Sequence, residues 1–303
     1  EGSKEVTCAP HAVVDITLGA VKLPKTLREA YLNLSWTRVK ATPLVTSDWE
    51  VAYDQFVLPV SKNSWSGKPG KAGNTTFVVD KSTGALKSLC LDGEELLASP
   101  ITLSLFRPAT DNDNRDQNGA KLWRQAGLDH LTQKVVSLKE GKNKTTVKAD
   151  ILNVEGKKIG NAEFIYALNR DGSMKVQTTF EPDTSLVKSM ARLGVTFEMK
   201  DTYENVTYLG RGEHETYTDR NQSGKIGIYK TTPERMFHYY VVPQSTGNRT
   251  DVRWLQLTDE HGKGCWIEAN SLFQFSTVPF SDVILEKARH INELKRDGKI
   301  TIH

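Results

Sequence analysis

From Thr75 to the end of the chain, short runs of β-branched and aromatic residues alternate apolar with polar side chains, and Gly, Asn and Asp separate the runs. A period of two puts every second side chain on one face of a sheet, whereas a helix repeats every 3.6 residues, so this spacing decides the fold class. Phe77–Asp80 and Ala85–Leu91 read as a hairpin about Lys81-Ser-Thr-Gly84, with Asp92-Gly93 a further turn. Strands are expected at Ile101–Phe106, Leu131–Leu138, Thr145–Leu152, Ala162–Leu168 and Met174–Phe180, the last two closing about Asn169-Arg-Asp-Gly172. Others are expected at Ala191–Met199, Val206–Gly210, Gly227–Lys230, Phe237–Val242, Val252–Leu257, Gly264–Ala269 and Leu272–Ser276. Helices are expected only near Ala120–Ala126 and near Asp282–His290, the latter with Ser281 as its N-cap. About fourteen strands with so little helix predict an all-β protein built as a large antiparallel sandwich, not as repeated βα units.

Residues 13–60 carry a smaller set of the same kind. Val14–Val21, Tyr31–Val39 and Trp49–Val60 alternate and suggest a small antiparallel sandwich, too short to be a whole one. Between the two sets, Ser61–Gly73 is rich in Gly, Ser and Lys and has no periodic apolar face. Domains at 1–60 and 74–303, joined by a 61–73 linker, fit a chain of 303 residues. The chain begins on Glu1 with no apolar signal region and ends on Ile300-Thr-Ile-His303, which reads as an unfinished strand. Both ends read as cut, as in a piece of a larger protein.

The net charge is +3 and no long Lys/Arg block occurs, so a nucleic-acid partner is not expected. No run approaches the ~18 apolar residues of a membrane span. Cys8, Cys90 and Cys265 are far apart and odd in number, as expected of free or buried thiols.

Three polar stretches interrupt the strands. In the first, Pro108 should stop the preceding strand at Arg107, and Asp111–Ala120 is almost wholly polar. Such a loop between anchored elements is a place for binding function, with a solvated surface loop as the alternative. Asp111-Asn-Asp113 opens like a calcium loop, but Arg115, Asp116 and Leu122 stand where an oxygen ligand, Gly and Glu are required. The second stretch, Gly210–Arg220, holds Glu213, His214 and Glu215, residue types suited to a metal or to acid–base work. On a strand His214 would point away from the two glutamates, which disfavours a single metal site. A salt-bridged corner in which Arg211, Asp219 and Arg220 satisfy the carboxylates and the backbone is the alternative. The third stretch, Pro243–Asp251, sets Gln244, Asn248 and Arg249 near Tyr239, Tyr240, Trp254 and Trp266. That mixture suits a sugar face, although strand Trp and Tyr more often pack a core. There is no phosphate loop, no G-x-S-x-G elbow, no H-E-x-x-H pair and no Cys/His nucleophile arrangement, hence no self-contained catalytic motif.

Arg107-Pro-Ala-Thr-Asp-Asn-Asp113, Leu122-Trp-Arg-Gln-Ala-Gly127, Leu209–Arg220 and Gly247–Trp254 occur in one order. Together they resemble the carboxyl-terminal part of the large β-galactosidases of glycoside hydrolase family 2. The first and third motifs are the specific ones. Trp49-Glu-Val-Ala-Tyr-Asp-Gln-Phe56 resembles the later part of that family's second immunoglobulin-like domain. The resemblance implies a partial immunoglobulin-like sandwich followed by a galactose mutarotase-like supersandwich. It also implies that retaining hydrolysis of terminal β-D-galactose belongs to two glutamates, roughly 5 Å apart, on a βα barrel upstream of Glu1. Magnesium and a monovalent cation would belong to that barrel, leaving this chain with no catalytic residue, no metal and no activity alone. Its part would be to shape the barrel mouth through a loop at Arg107–Asn118, with Arg107, Asp111, Asn112 and Asp113 at the substrate entrance. Glu213, His214, Glu215, Gln244, Asn248 and Arg249 would form a polar, sugar-facing cluster. A sugar-stacking aromatic would fall shortly beyond His303. Implied partners are the upstream barrel of the same polypeptide, a β-galactoside and further copies in a homo-oligomer, in a soluble periplasmic or cytoplasmic setting. The chain departs from the family where Glu213 and Thr216 replace a Pro and an Asn, which leaves the role of that corner open. The alternative is a free-standing carbohydrate-binding or aldose mutarotase-like module. That chemistry needs a general acid and base such as a His and a Glu, and His214, His238 and His261 are the central candidates.

Overall fold

The computed structural model describes residues 2–20, 22–23, 29–60, 73–115 and 119–303. The chain divides into two compact units, Glu1–Gly67 and Lys68–His303. Most of the stretch expected as a linker, 61–72, lies outside the described residues.

In the first unit, β1 (Tyr31–Thr37) and β2 (Glu50–Val57) pair antiparallel, with Leu32 opposite Phe56 and Trp36 opposite Ala52. The strand expected at Val14–Val21 does not form: residues 14–20 are irregular, and Val13, Val14 and Leu18 are exposed. Alternation makes a strand only where a neighbour supplies the ladder and a face to pack on, and among the described residues these have neither. The first unit, among the described residues, therefore holds a two-stranded ribbon rather than part of a sandwich.

The second unit opens with β3 (Thr75–Val79), β4 (Leu86–Leu91), β5 (Glu94–Glu95) and β6 (Ser99–Ser104). The turn joining β3 to β4 needs glycine twice over. Gly84 has φ +73°, and a Cβ there would stand 2.5 Å from Val147 Cγ1. After β6 come two short helices, α1 (Asp111–Arg115) and α2 (Ala120–Gln125). A long meander follows: β7 (Thr132–Glu140), β8 (Lys144–Leu152), β9 (Lys158–Leu168) and β10 (Met174–Pro182). The remaining strands are β11 (Gly194–Lys200), β12 (Asn205–Gly212), β13 (Lys225–Thr231), β14 (Arg249–Thr258), β15 (Gly264–Phe275), β16 (Thr277–Val278) and β17 (Lys299–Ile302). Between β13 and β14 lies α3 (Pro233–Met236), and between β16 and β17 lies α4 (Asp282–Lys287), capped by the Ser281 side chain.

These strands form three antiparallel sheets, ordered β10-β9-β8-β7, β16-β17-β11-β6-β4-β3 with β5 on β4, and β13-β12-β14-β15. The fold is all-β, as the alternation predicts. One core, with Leu86, Leu103, Leu105, Trp123, Ile151, Phe164 and Tyr166, joins β4 and β6 to the first four-stranded sheet. A second, with Met199, Tyr208, Val252, Leu257, Phe275 and Ile302, joins β11 and β17 to the other four-stranded sheet. The middle sheet thus packs against both partners.

Three local expectations need correction. The stretch from Asp111 is not a bare loop, because Asp111–Arg115 closes as a helix of little more than one turn. Phe237–Val242 is not a strand: Phe237 makes edge-on ring contacts with Tyr239 and Phe280 at 4.8 and 5.0 Å and enters a small third core with Val278 and Leu285. The pairs expected at Gly264–Ala269 and Leu272–Ser276 are one continuous strand, β15.

Candidate functional site

The three polar stretches, separated by about a hundred residues of strand and then by about thirty more, come together at one end of the second unit. Pro108 O accepts from Ser245 N at 3.2 Å, and Asn248 O accepts from Thr216 N at 2.8 Å. The first stretch is tied to the third, and the third to the second.

The first stretch is organised by Arg107. Its Nη1 lies 2.8 Å from Asp113 Oδ2 and its Nη2 donates to Asp113 Oδ1 at 3.0 Å. The guanidinium carbon stands 5.6 Å from the Trp123 ring centre and 5.9 Å from that of Tyr217, so two aromatic faces fix the planar group. Asp113 Oδ2 also accepts from Thr110 N and the Thr110 hydroxyl at 2.9 and 2.8 Å, while Asp113 N donates back to Thr110 Oγ1. This reciprocal pattern is a capping box, and it starts α1. Arg124 on α2 donates to Asn114 Oδ1 at 3.2 Å and to Glu286 Oε1 at 2.7 Å, tying α1 and α2 to α4. The four expected entrance residues therefore divide. Arg107 and Asp113 are half-buried and bound to each other, whereas the side chains of Asp111 and Asn112 are exposed and make no hydrogen bond among the described residues.

Beside this stretch lies a half-buried ionic group. Arg192 Nη1 is 3.1 Å from Asp282 Oδ2, 2.7 Å from His303 Nδ1 and 3.3 Å from Ser104 Oγ, and His303 Nε2 is 3.2 Å from Asp282 Oδ1. Burial, with the Arg192 cation, pushes the His303 ring below its ordinary value. Burial raises the Asp282 carboxyl, but His303 and Arg192 more than offset that and leave it lowered.

The second stretch leaves β12 at Gly212, so Glu213, His214 and Glu215 are not on a strand. The alternation that would separate His214 from the glutamates does not apply, and all three line one cleft. That cleft has a volume of about 550 Å³ and is walled also by Arg220, Arg235, Met236, Phe237, His238, Tyr240 and Arg249. Glu215 is saturated. Thr246 Oγ1 and Gly247 N each donate to its Oε2 at 2.9 Å, and Tyr240 and Arg220 donate to its Oε1. Burial raises this carboxyl, yet the four donors together leave it below the ordinary carboxylate value, an anion in a structural role. His214 is exposed, with Nε2 2.8 Å from Ser223 Oγ.

A salt-bridged corner does form: Arg220 pairs with Glu215, and Arg211 donates to the carbonyls of Asn221 and Gly224, although its ion-pair partner is Asp251 on β14.

The third stretch is more deeply buried than its composition suggests. Arg249 is 3% exposed, and its guanidinium donates to Tyr208 Oη at 2.9 Å and to the carbonyls of Gly247, Asn248 and Glu213. Asn248 Nδ2 donates to Thr216 O and Gln274 Oε1, and Gln244 is buried. These side chains secure backbone and reach a ligand only through the cleft wall that Arg249 forms. Trp254 is buried and stacks on Trp266 with ring centres 4.3 Å apart. The residues that sequence reasoning missed are Arg235 and Phe237 on the cleft wall and Arg192 beside Asp282 and His303. The T-x-x-D spacing of Thr110 and Asp113 was a legible capping signal.

No helix among the described residues is long and apolar enough to cross a membrane. Cys8, Cys90 and Cys265 are free. Residues 71–303 match the family model described as Beta galactosidase small chain. Curated relatives include a β-galactosidase of Priestia megaterium, 30% identical over 294 residues, the match covering 90% of this chain and 28% of that protein. A β-galactosidase of Actinobacillus pleuropneumoniae is 24% identical over 316 residues, with 97% and 30% covered. One of Aeromonas hydrophila is 30% identical over 329 residues, with 98% and 31% covered. The chain thus spans about 30% of the length of these relatives.

Proposed function

The chain belongs to the β-galactosidase small-chain family, and from that premise we propose that it is the non-catalytic, C-terminal part of such an enzyme and shapes the entrance to a galactoside site. In this reading the carboxylate pair of a retaining glycosidase lies in another part of the polypeptide, where one group attacks the anomeric carbon and the other handles the proton. The observation that carries the reading is the division within the first polar stretch. Arg107 and Asp113 lock each other, leaving the Asp111 and Asn112 side chains exposed and, among the described residues, without a hydrogen bond, on a short turn of helix. An acceptor-only carboxylate beside an amide that both donates and accepts suits the hydroxyls of an arriving sugar. A short polar rim of this kind can also limit water at the mouth of the site. Within the cleft, Glu215 supports no acid–base role, since all its lone-pair directions are engaged and its proton affinity is lowered. Membership of a homo-oligomer belongs to the same proposal for the full-length protein.

The test is hydrolysis of a chromogenic β-galactoside by this chain alone and mixed with a β-galactosidase polypeptide that lacks the corresponding region. The expected result is no turnover alone, turnover on mixing, and a higher KM with Asp111→Ala or Asn112→Ala. Turnover by the chain alone, or mixed activity indifferent to both substitutions, would overturn the reading.

A further inference from the structure

The cleft beside Glu215 carries groups that nothing so far employs. Of its charged and polar walls, Arg249 is fully engaged with carbonyls and Tyr208, Glu215 accepts from four donors, Arg220 is paired with Glu215, and His214 contacts Ser223. Three groups remain. The Glu213 carboxylate, the Arg235 guanidinium and the His238 ring nitrogens make no hydrogen bond or ion pair among the described residues, and all three residues are exposed. One of these groups only accepts, one only donates, and the imidazole does either. Between them stands an aromatic wall, the half-buried Tyr240 ring with the exposed His238 ring packed on it edge to face at 4.4 Å, backed by the buried Phe237.

We propose that this cleft binds a neutral carbohydrate of mono- to disaccharide size, held by Glu213, Arg235 and His238 against the aromatic wall. The balance of charge selects the ligand class. A metal cation would meet the Arg235 and Arg220 guanidiniums, and an anion would meet the Glu213 carboxylate without a partner; either would satisfy one free group at the expense of the other. A polyhydroxylated molecule faces no such conflict, because each hydroxyl donates one hydrogen bond and accepts others. Adjacent hydroxyls can bridge an acceptor-only and a donor-only group, and the C–H face of a pyranose covers an aromatic ring. The volume of about 550 Å³ lies within the range of small-molecule sites. The site is independent of the entrance role proposed above, for it uses none of Arg107, Asp111, Asn112 or Asp113.

The test uses the 303-residue chain by itself. Lactose, maltose and cellobiose serve as neutral probes in calorimetric and NMR titrations, with glucuronate and glucosamine as charged counterparts. The expected result is saturable, millimolar binding of at least one neutral disaccharide, weakened fivefold or more by Glu213→Gln and by Arg235→Ala. Both residues are exposed, and unchanged melting temperatures show that the variants still fold. Three results would each overturn the proposal: no saturable binding of any neutral probe, tighter binding of a charged probe than of every neutral one, or neutral binding untouched by both substitutions.

Discussion

Arg107 sets the fork of its guanidinium against Asp113: Nη2 donates to Oδ1 at 3.0 Å, and Nη1 stands 2.8 Å from Oδ2 as an ion-pair contact without hydrogen-bond alignment. The two residues are six positions apart, so the fork closes the chain into a tight loop that includes Pro108 and most of α1. Trp123 and Tyr217 flank the guanidinium, which makes its plane, and with it the direction of α1, a property of the core.

Replacing Arg107 should release α1. Arg107→Ala removes one hydrogen bond and an ion-pair contact to a charged partner in a half-buried setting, an expected local loss of about 2 kcal/mol. Arg107→Lys keeps the charge but not the fork, and should recover only part of that. Hydrogen exchange of a peptide spanning 107–115 is the measurement: faster exchange is expected in both variants, larger for Ala. Wild-type protection in Arg107→Ala would show that the fork does not hold the helix.

Thr216 is fully buried, and its hydroxyl serves both Thr250 N and Thr250 Oγ1 at 3.0 Å. Thr216→Val keeps the shape but strands a buried N–H, so the urea midpoint of the second unit should fall by an amount equivalent to about 1–3 kcal/mol. Thr216→Ser keeps the oxygen and should cost less. Equal losses in the two variants would mean that volume, not hydrogen bonding, matters there.

The Arg192–Asp282–His303 group sets an acid limit on stability. His303 is held below its ordinary value of 6.5 in the folded chain. On acidification the unfolded chain takes up this proton first, so stability is full above that value and declines as the pH falls through it towards the lower folded value. Asp282, lowered from 3.8, adds a second decline at more acid pH. Chemical denaturation between pH 4 and 8 should show the first decline in the wild type and not in His303→Gln. Asp282→Asn should be worse at every pH, by about 2–3 kcal/mol, because it leaves the Arg192 cation uncompensated. An identical pH slope with and without His303 would remove the ring from this account.

Gly84→Ala should be among the more damaging single-methyl changes. The new Cβ meets both a left-handed backbone and Val147 Cγ1, and Gly84 O is the acceptor for the buried Tyr166 hydroxyl at 3.1 Å. A loss of more than about 1–2 kcal/mol is expected, read from the thermal midpoint. A neutral result would show that the turn relaxes without disturbing β8.

How far the chain could be read in advance depended on where each residue finds its partners. Alternation over Thr145–Leu152 and Ala162–Leu168 foretold β8 and β9 because Val147, Ile151, Phe164 and Tyr166 all meet one core. Ser281 acted locally as a helix cap and was legible, whereas β6 ends at Ser104, four residues before Pro108, so the proline was not what stopped the strand. The same alternation misled over residues 14–20, where no strand among the described residues receives it, and at Phe237–Val242, where ring contacts with Tyr239 and Phe280 prevail over strand propensity. The site was half legible. Its three polar stretches stood out by composition, but their convergence rests on contacts such as Pro108 to Ser245, across more than 130 positions. Nothing local in Arg249 announced that it would bind carbonyls in the interior.

The segment from Pro243 to Thr250 has the composition of a surface loop, yet all but Asn248 is buried. For anyone handling the protein, its hydrophilic look is a poor guide. A protease offered the folded chain has no purchase there, an antibody raised against the free peptide would meet a hidden epitope, and a tag spliced in would have to force the three polar stretches apart. The turn at Glu260–Lys263, equally polar but exposed, is the place for such an insertion.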